Sequence, residues 1–483
     1  MKNFIIIALI FLSLLINFFS FNKVQDWGDD FAAYVIQAKT VHDGSYTELE
    51  RNIKRNDFIL NYPWGFPVLI SPLIAYFETN IIVIKIYIYL FFILSLIVLF
   101  YLFREEKETA LITILMLSSC PFFWDFKNYI LADIPNLFFV LLTLLVANRL
   151  LIKGHAIINI YFTYFITGVL VFMSYMIRNQ SLVILPAIVL VQLVKFRRDL
   201  FSLKSLLQMV IPPLIFLLLL FVSNQLIRVK SVTYLDQYAN FDLGKTVLNN
   251  IFYYLKAWQE LFAITDIIKN VNTIFTAFFL AFALIGAVAT AKKNMLFIVF
   301  FGISMSLVLI SPFYQGVRYL IPLVPFLFYF FVTGFRYVIF HIHAKNKFKQ
   351  AAYYSVIGII IFLSITTISV YTYQSLASRQ EAEGPYKKAS VAMLNYIKNN
   401  TNKNEMIGFC KPRAMLLYTG RNAVIPTSYD ECIRKKIDYL VYYKNAIAEQ
   451  LPKDSIESHQ NDFSEVFKNV DFIVFKKLRT HSQ

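Results

Sequence analysis

The chain has 483 residues, with 46 Lys+Arg against 30 Asp+Glu for a formal net charge of +16, and it is 58% apolar and 16% charged. Soluble domains average about 45–50% apolar and about 25% charged, so disorder, a disulfide scaffold and an ordinary cytosolic enzyme are excluded. The charge is uneven: 375–483 carries 17 basic and 12 acidic residues, about 27% of that stretch, whereas 1–374 carries 29 and 18, about 13%. The lower density belongs to a chain dissolved in lipid and the higher to one dissolved in water. A polytopic all-α membrane domain is therefore expected over 1–374, followed by a small extracytoplasmic α/β domain over 375–483.

The N-terminus, Met1-Lys2-Asn3, runs into an apolar stretch from Phe4 to Phe21. That stretch is too long for a secretory h-region and no small-x-small cleavage pattern follows, so it reads as an uncleaved first helix starting in the cytoplasm. Apolar runs able to cross about 30 Å recur near 81–103, 108–124, 134–152, 156–176, 181–195, 206–227, 272–290, 295–312, 318–340 and 351–373. With the first helix they make about 11 spans. They leave two long outer loops, 22–80 and 228–271. In the first, Tyr62-Pro63-Trp64-Gly65-Phe66-Pro67 precedes only a short apolar stretch, which suits an interfacial or re-entrant helix better than a span.

Charge supports this threading. Lys2, Arg104, Lys107, Arg149, Lys153, Lys195, Arg197, Arg198, Lys204, Lys292, Lys293, Arg336, Lys345, Lys347 and Lys349 fall on the cytoplasmic side, against Lys127, Arg178 and Arg318 in the short outer turns. By the positive-inside rule the tail then lies outside. The expected arrangement is multi-pass, with the N-terminus cytoplasmic and the tail periplasmic or extracellular. The basic excess is accounted for by orientation, and no nucleic-acid motif accompanies it.

The tail alternates patterns. Helical spacing covers 385–399, short apolar stretches lie at 406–410 and 422–426, and buried strands are expected at 439–443 and 472–475. Cys120 reads as a small core residue, while Cys410 and Cys432 share the tail and could pair.

Candidate chemistry begins in the first outer loop with Asp26-Trp27-Gly28-Asp29-Asp30-Phe31-Ala32-Ala33-Tyr34. A helix starting near Asp29 places Asp30 and Tyr34 on one face. Asp29 or Asp30 reads either as an N-cap or as a carboxylate at the lipid-water boundary, suited to taking a proton. Asp133, in Leu131-Ala132-Asp133-Ile134-Pro135, opens another helix on the same side and is likewise a cap or a second acid. Arg178 closes one span, Arg318 opens another beside Tyr319, and Lys85 lies four residues into the second span. Each runs against the positive-inside rule, and an ionisable group in a span is a functional candidate; for Lys85 the plainer reading is snorkelling. Acids and cations on one face of a lipid-embedded protein suit a substrate with a lipid tail and a phosphate head, since Arg matches phosphate as a planar fork. His341 and His343 read as part of a solvated basic face, and no zinc spacing, Walker loop or GxGxxG is present.

These pieces, in this order, resemble the polytopic C-type glycosyltransferases (the GT-C fold), nearest to protein O-mannosyltransferases and the lipid A aminoarabinose transferase. The acidic motif Gly28 to Tyr34 is similar to the family hallmark. Tyr62 to Pro67 resembles its Pro-Pro-Gly-Tyr-Pro stretch, departing at Trp64, and Asp133-Ile134-Pro135 resembles its acid-x-Pro. Arg318-Tyr319-Leu320-Ile321-Pro322-Leu323-Val324-Pro325 looks like its Arg-Tyr-Leu-x-Pro-x-x-Pro. Gly408 to Arg413 and Tyr418 to Arg421 resemble segments of bacterial members.

The resemblance implies an inverting transfer of a sugar from a polyprenyl-phosphate donor to a lipid, glycan or protein acceptor outside the cytoplasm. Asp30 is then the expected general base, with Asp29 second and Asp133 as the further acid. Tyr34, Tyr62, Lys85, Arg178, Arg318 and Tyr319 are the expected substrate contacts. No cofactor is legible, and because metal use varies across the superfamily a divalent metal stays open. The rival readings are a transporter or lipid flippase with an outer accessory domain, and a membrane scaffold; paired repeats and broken mid-membrane helices, the usual marks of a transporter, are not evident.

Overall fold

The computed structural model describes residues 2–56, 62–152, 160–195, 197, 202–227, 242–262, 271–312, 314, 316–341, 345–377, 383–446 and 450–478. Among them, five helical stretches are long and apolar enough to cross a membrane: Ile81–Leu102, Ser205–Leu226, Asn272–Ala289, Gly316–His341 and Asn346–Val370. Shorter apolar helices lie at Asn3–Phe19, Gly65–Phe77, Tyr161–Ile177, Asn179–Lys195 and Met295–Ile310. Their outward faces are strongly apolar, with Phe4, Phe11 and Phe19 exposed on the first helix and Leu214, Leu217, Leu218 and Phe221 on Leu203–Leu226. Water would penalise so much exposed hydrocarbon, whereas lipid does not.

Close backbone approaches set the site. The helices Val271–Ala289 and Val324–His341 cross at Gly286 and Gly334. A Cβ on Gly286 would lie 1.9 Å from the Phe330 carbonyl oxygen, and one on Gly334 would lie 1.9 Å from that of Phe282. Only glycine permits that contact, which fixes the helix following Arg318. Likewise a Cβ on Gly65 would meet the Met176 carbonyl oxygen at 2.5 Å. This pins the start of Gly65–Phe77 against the end of Ile160–Ile177, next to Arg178.

The tail carries a five-stranded sheet of β1 (Ile407–Gly408), β2 (Ala423–Val424), β3 (Tyr439–Tyr443), β4 (Phe463–Lys468) and β5 (Phe472–Lys477), in the order β2-β1-β3-β5-β4. β1 pairs in parallel with β2 and β3, while β5 is antiparallel to β3 and β4. The helix expected over 385–399 is present as Lys388–Asn400. β4 has no counterpart among the expected strands, because its Ser464, Glu465 and Lys468 give an edge strand too little apolar alternation to stand out. Cys120, Cys410 and Cys432 are all buried, and none is in a disulfide. The bridge considered for the last two is therefore absent, and each thiol serves as a small core residue.

The tail is packed into the rest of the molecule. Trp27, from the stretch after the first helix, inserts among Phe409, Tyr443 and Phe472 with ring centroids 5.7, 6.2 and 6.3 Å away. At Gly384 a Cβ would stand 2.2 Å from the Gln25 carbonyl oxygen. The tail helix Pro412–Thr419 lies along the loop helix Asp29–Asp43.

Candidate functional site

Each functional side chain is placed by a helix end. The helix Asp29–Asp43 begins after Gly28 with no side-chain cap, so Asp30 does not spend its carboxylate on the backbone, and the helix's positive end favours its charge. Tyr34 follows one turn later on the same face and is buried. It packs on Tyr62 and Phe66 at centroid distances of 4.7 and 4.9 Å. Asp133 is the first residue of Asp133–Val146, again with no side-chain cap, and is 1% exposed. The capping reading of both acids therefore gives way to ion pairing.

Arg318 lies in the 3-10 helix Gly316–Leu323, entered through Gly316 at φ +58°, a left-handed conformation that suits glycine. Its Nη1 donates to Asp30 Oδ2 at 2.9 Å and its Nη2 to Asp133 Oδ2 at 3.4 Å. Its Nε is buried with no hydrogen-bond partner. Arg178 donates to the other oxygen of Asp133 and stands 5.4 Å from the Tyr319 ring centroid. Tyr62 donates its hydroxyl proton to Asp30 Oδ1 and accepts a hydrogen bond from Arg413 Nη1 at 3.0 Å. Arg413 Nη1 is itself 3.6 Å from Asp30 Oδ1.

Burial pushes the Asp30 carboxyl up, but the Arg318 guanidinium, the Tyr62 hydroxyl and the Arg413 guanidinium outweigh it and hold the group below the usual carboxylate range. Burial and the neighbouring Asp30 push the Tyr62 phenol up despite Arg413, so it stays a protonated donor. Two carboxylates thus face three guanidiniums, a local excess of one positive charge that suits an arriving anion.

A cavity of about 650 Å³ opens beside this cluster. Asp30, Tyr34, Tyr62, Arg178, Arg318 and Tyr319 supply its polar lining, and Ile177, Leu182, Val183, Pro186, Leu307 and Val308 supply an apolar lining.

Of the expected residues, Asp30, Tyr34, Tyr62, Asp133, Arg178, Arg318 and Tyr319 come together, although Asp30 and Arg318 are 288 positions apart. The Asp29 side chain lies outside the described residues. Lys85 is the correction. It is 1% exposed, and its Nζ donates to the carbonyl oxygens of Asn22 at 3.1 Å and Val24 at 2.7 Å. It neither snorkels nor lines the cavity; it ties down the chain that leads to Trp27 and Asp30. Lys85→Met is expected to lower the unfolding temperature, because the part-buried carbonyls of Asn22 and Val24 lose a charged donor, a bond worth about 1.5–3 kcal/mol when buried and less here. A polyprenyl phosphate should still bind the variant normally, which a thermal-shift titration measures.

Sequence reasoning gave no role to Arg413. The signals available were the resemblance of the stretch Gly408 to Arg413 to segments of bacterial members and Pro412, which starts the helix that carries it. Among the described residues no three His, Cys, Asp or Glu side chains converge as metal ligands. The described carboxylates of the site, Asp30 and Asp133, are each paired with guanidiniums.

No protein-family model matches the sequence, and comparison with curated proteins finds no match either. Solved structures do match. The Archaeoglobus fulgidus oligosaccharyltransferase in its apo form is 12% identical with a TM-score of 0.59, covering 91% of this chain and 69% of that one. The A. fulgidus oligosaccharyltransferase AglB in complex with an inhibitory peptide and a dolichol-phosphate is 12% identical with a TM-score of 0.56, covering 92% and 70%. ArnT from Cupriavidus metallidurans bound to undecaprenyl phosphate is 10% identical with a TM-score of 0.57, covering 98% of each chain. The chain therefore has the GT-C fold of these membrane proteins.

Proposed function

We propose that this chain is an integral-membrane inverting glycosyltransferase that moves a sugar from a polyprenyl-phosphate donor to a lipid, glycan or protein acceptor at the outer face of the cytoplasmic membrane. One observation carries the reading. A paired carboxylate and guanidinium line the same cavity as a set of apolar side chains. A lipid chain fits the apolar side chains, and its phosphate fits the guanidiniums.

In this reading Arg318 releases Asp30 to grip the donor phosphate, assisted by Arg178, and Asp133 keeps both guanidiniums oriented. Freed at Oδ2, the Asp30 carboxylate takes the proton of the acceptor hydroxyl while that oxygen attacks the anomeric carbon and the bond to the phosphate oxygen breaks. The phosphodiester leaves as a phosphomonoester carrying one more negative charge, which the guanidiniums stabilise where it develops. The leaving phosphate needs no proton, so a single carboxylate suffices, unlike the pair used in glycoside hydrolysis. The likeness to structures that hold undecaprenyl phosphate and a dolichol-phosphate supports a lipid-phosphate ligand.

Membranes containing the protein, supplied with a radiolabelled polyprenyl-phosphate sugar, test the proposal. Label should pass from the lipid donor to an acceptor. Donor that crosses the bilayer chemically intact would instead mark a flippase, and donor left untouched would defeat both readings.

A further inference from the structure

The tail domain could be a passive appendage, but its Arg413 reaches the carboxylate at the membrane site. The Tyr62 hydroxyl accepts from Arg413 at 3.0 Å and donates to Asp30 Oδ1. The guanidinium also sits 5.4 Å from the Tyr62 ring centroid and is 17% exposed. The backbone behind it is anchored by Trp27 in its aromatic niche and by Gly384 against Gln25.

The geometry points to the tail as part of the active site, with Arg413 a positioning residue that holds Asp30 oriented and ionised, both through Tyr62 and by its own charge. The need for it follows from the hand-over of Arg318. Arg318 is the direct cationic partner of Asp30 at Oδ2, and a donor phosphate competes for that guanidinium. Once it turns away, a carboxylate this enclosed would drift towards its protonated, non-basic form. Arg413 and Tyr62 keep their hold on Oδ1, leaving Oδ2 open to the acceptor hydroxyl. Asp30 is faced by Arg318 from the 3-10 helix, Arg413 from the tail and Tyr62 from the loop before Gly65–Phe77, with Tyr34 on its own helix and Asp133, backed by Arg178, beyond Arg318. Of these, only Arg413 comes from the tail.

The inference takes its catalytic meaning from the proposed role of Asp30, but its test needs no sugar donor, so the two readings fail separately. Apolar carbodiimides modify carboxyl groups in their protonated form, and peptide mass spectrometry of the full-length protein in membranes reads the pH midpoint of Asp30 labelling. Arg413→Gln should raise that midpoint by about one pH unit, and Arg413→Lys should restore most of it. Tyr62→Phe, which deletes a single hydroxyl, should shift it in the same direction and gives the reading should Arg413→Gln fail to accumulate. The double variant should shift at least as far as Arg413→Gln alone, because Arg413 both holds the Tyr62 hydroxyl and stands 3.6 Å from Asp30 Oδ1. A midpoint equal to wild type in Arg413→Gln or in Tyr62→Phe overturns the inference.

Discussion

Asp30→Asn is expected to lower sugar transfer by about 10²–10⁴-fold, the usual contribution of a positioned general base, while the protein still inserts and folds. Asparagine keeps the shape but has a single acceptor oxygen, so it replaces only one of the two carboxylate oxygens that accept from Tyr62 and Arg318, and its amide cannot take a proton. Transfer measured in membranes at matched protein levels checks this, and wild-type turnover by the variant would remove Asp30 from the mechanism. The pH profile gives a second reading. Arg318, Tyr62 and Arg413 together outweigh burial and hold the carboxyl below its usual range, so the acid limb of kcat/KM, which reports the free enzyme, should lie on the acid side of an ordinary carboxylate. The sign for stability follows. The folded-state value is depressed, so the contribution of Asp30 is fully present above the unfolded value near 3.9. It is lost as pH falls through the folded one.

Arg318→Gln should be as damaging, and in two ways at once. It removes the fork that joins Asp30 to Asp133, and Asp133, at 1% exposure, is left with Arg178 alone. Breaking a buried ion pair from one side costs about 3–5 kcal/mol, so the unfolding temperature should fall. The positive excess of the site vanishes as well, and affinity for undecaprenyl phosphate should drop at least about tenfold, since a lost charged hydrogen bond is worth about 1.5–3 kcal/mol. Arg318→Lys separates the effects: a point charge restores part of the stability but cannot span two carboxylates as the planar fork does. Tight undecaprenyl phosphate binding by Arg318→Gln, measured by titration of the purified protein, would reassign the phosphate site.

The two variants bear on different halves of the chemistry. Loss of transfer with lipid-phosphate binding kept is the signature expected of Asp30; loss of both is the signature expected of Arg318. Lys85, tied to the carbonyls of Asn22 and Val24, should show neither.

Much of this was written in local sequence. The low charge density of 1–374 announces lipid, because a span cannot carry many ions through hydrocarbon. The Asp30 and Tyr34 pair shares a face by helical spacing alone. Arg318 and Arg178 stood out because cations on the outer side have to be justified against the positive-inside rule. The helix Lys388–Asn400 and strand β3 were legible from their periods. What local pattern could not supply was partnership. Lys85 looks like a phosphate ligand until the returning loop delivers two carbonyls to it, and Cys410 and Cys432 could pair until both are found buried outside any disulfide. Arg413 is 351 positions from Tyr62, and no period or spacing connects them; packing of the tail on the Asp29–Asp43 helix does. Sequence determined which residues are costly enough in their surroundings to need a partner, since that cost is set by neighbours along the chain. Only tertiary structure decided which partner each one has, because ion pairs and hydrogen bonds act over a few ångströms and are blind to sequence distance.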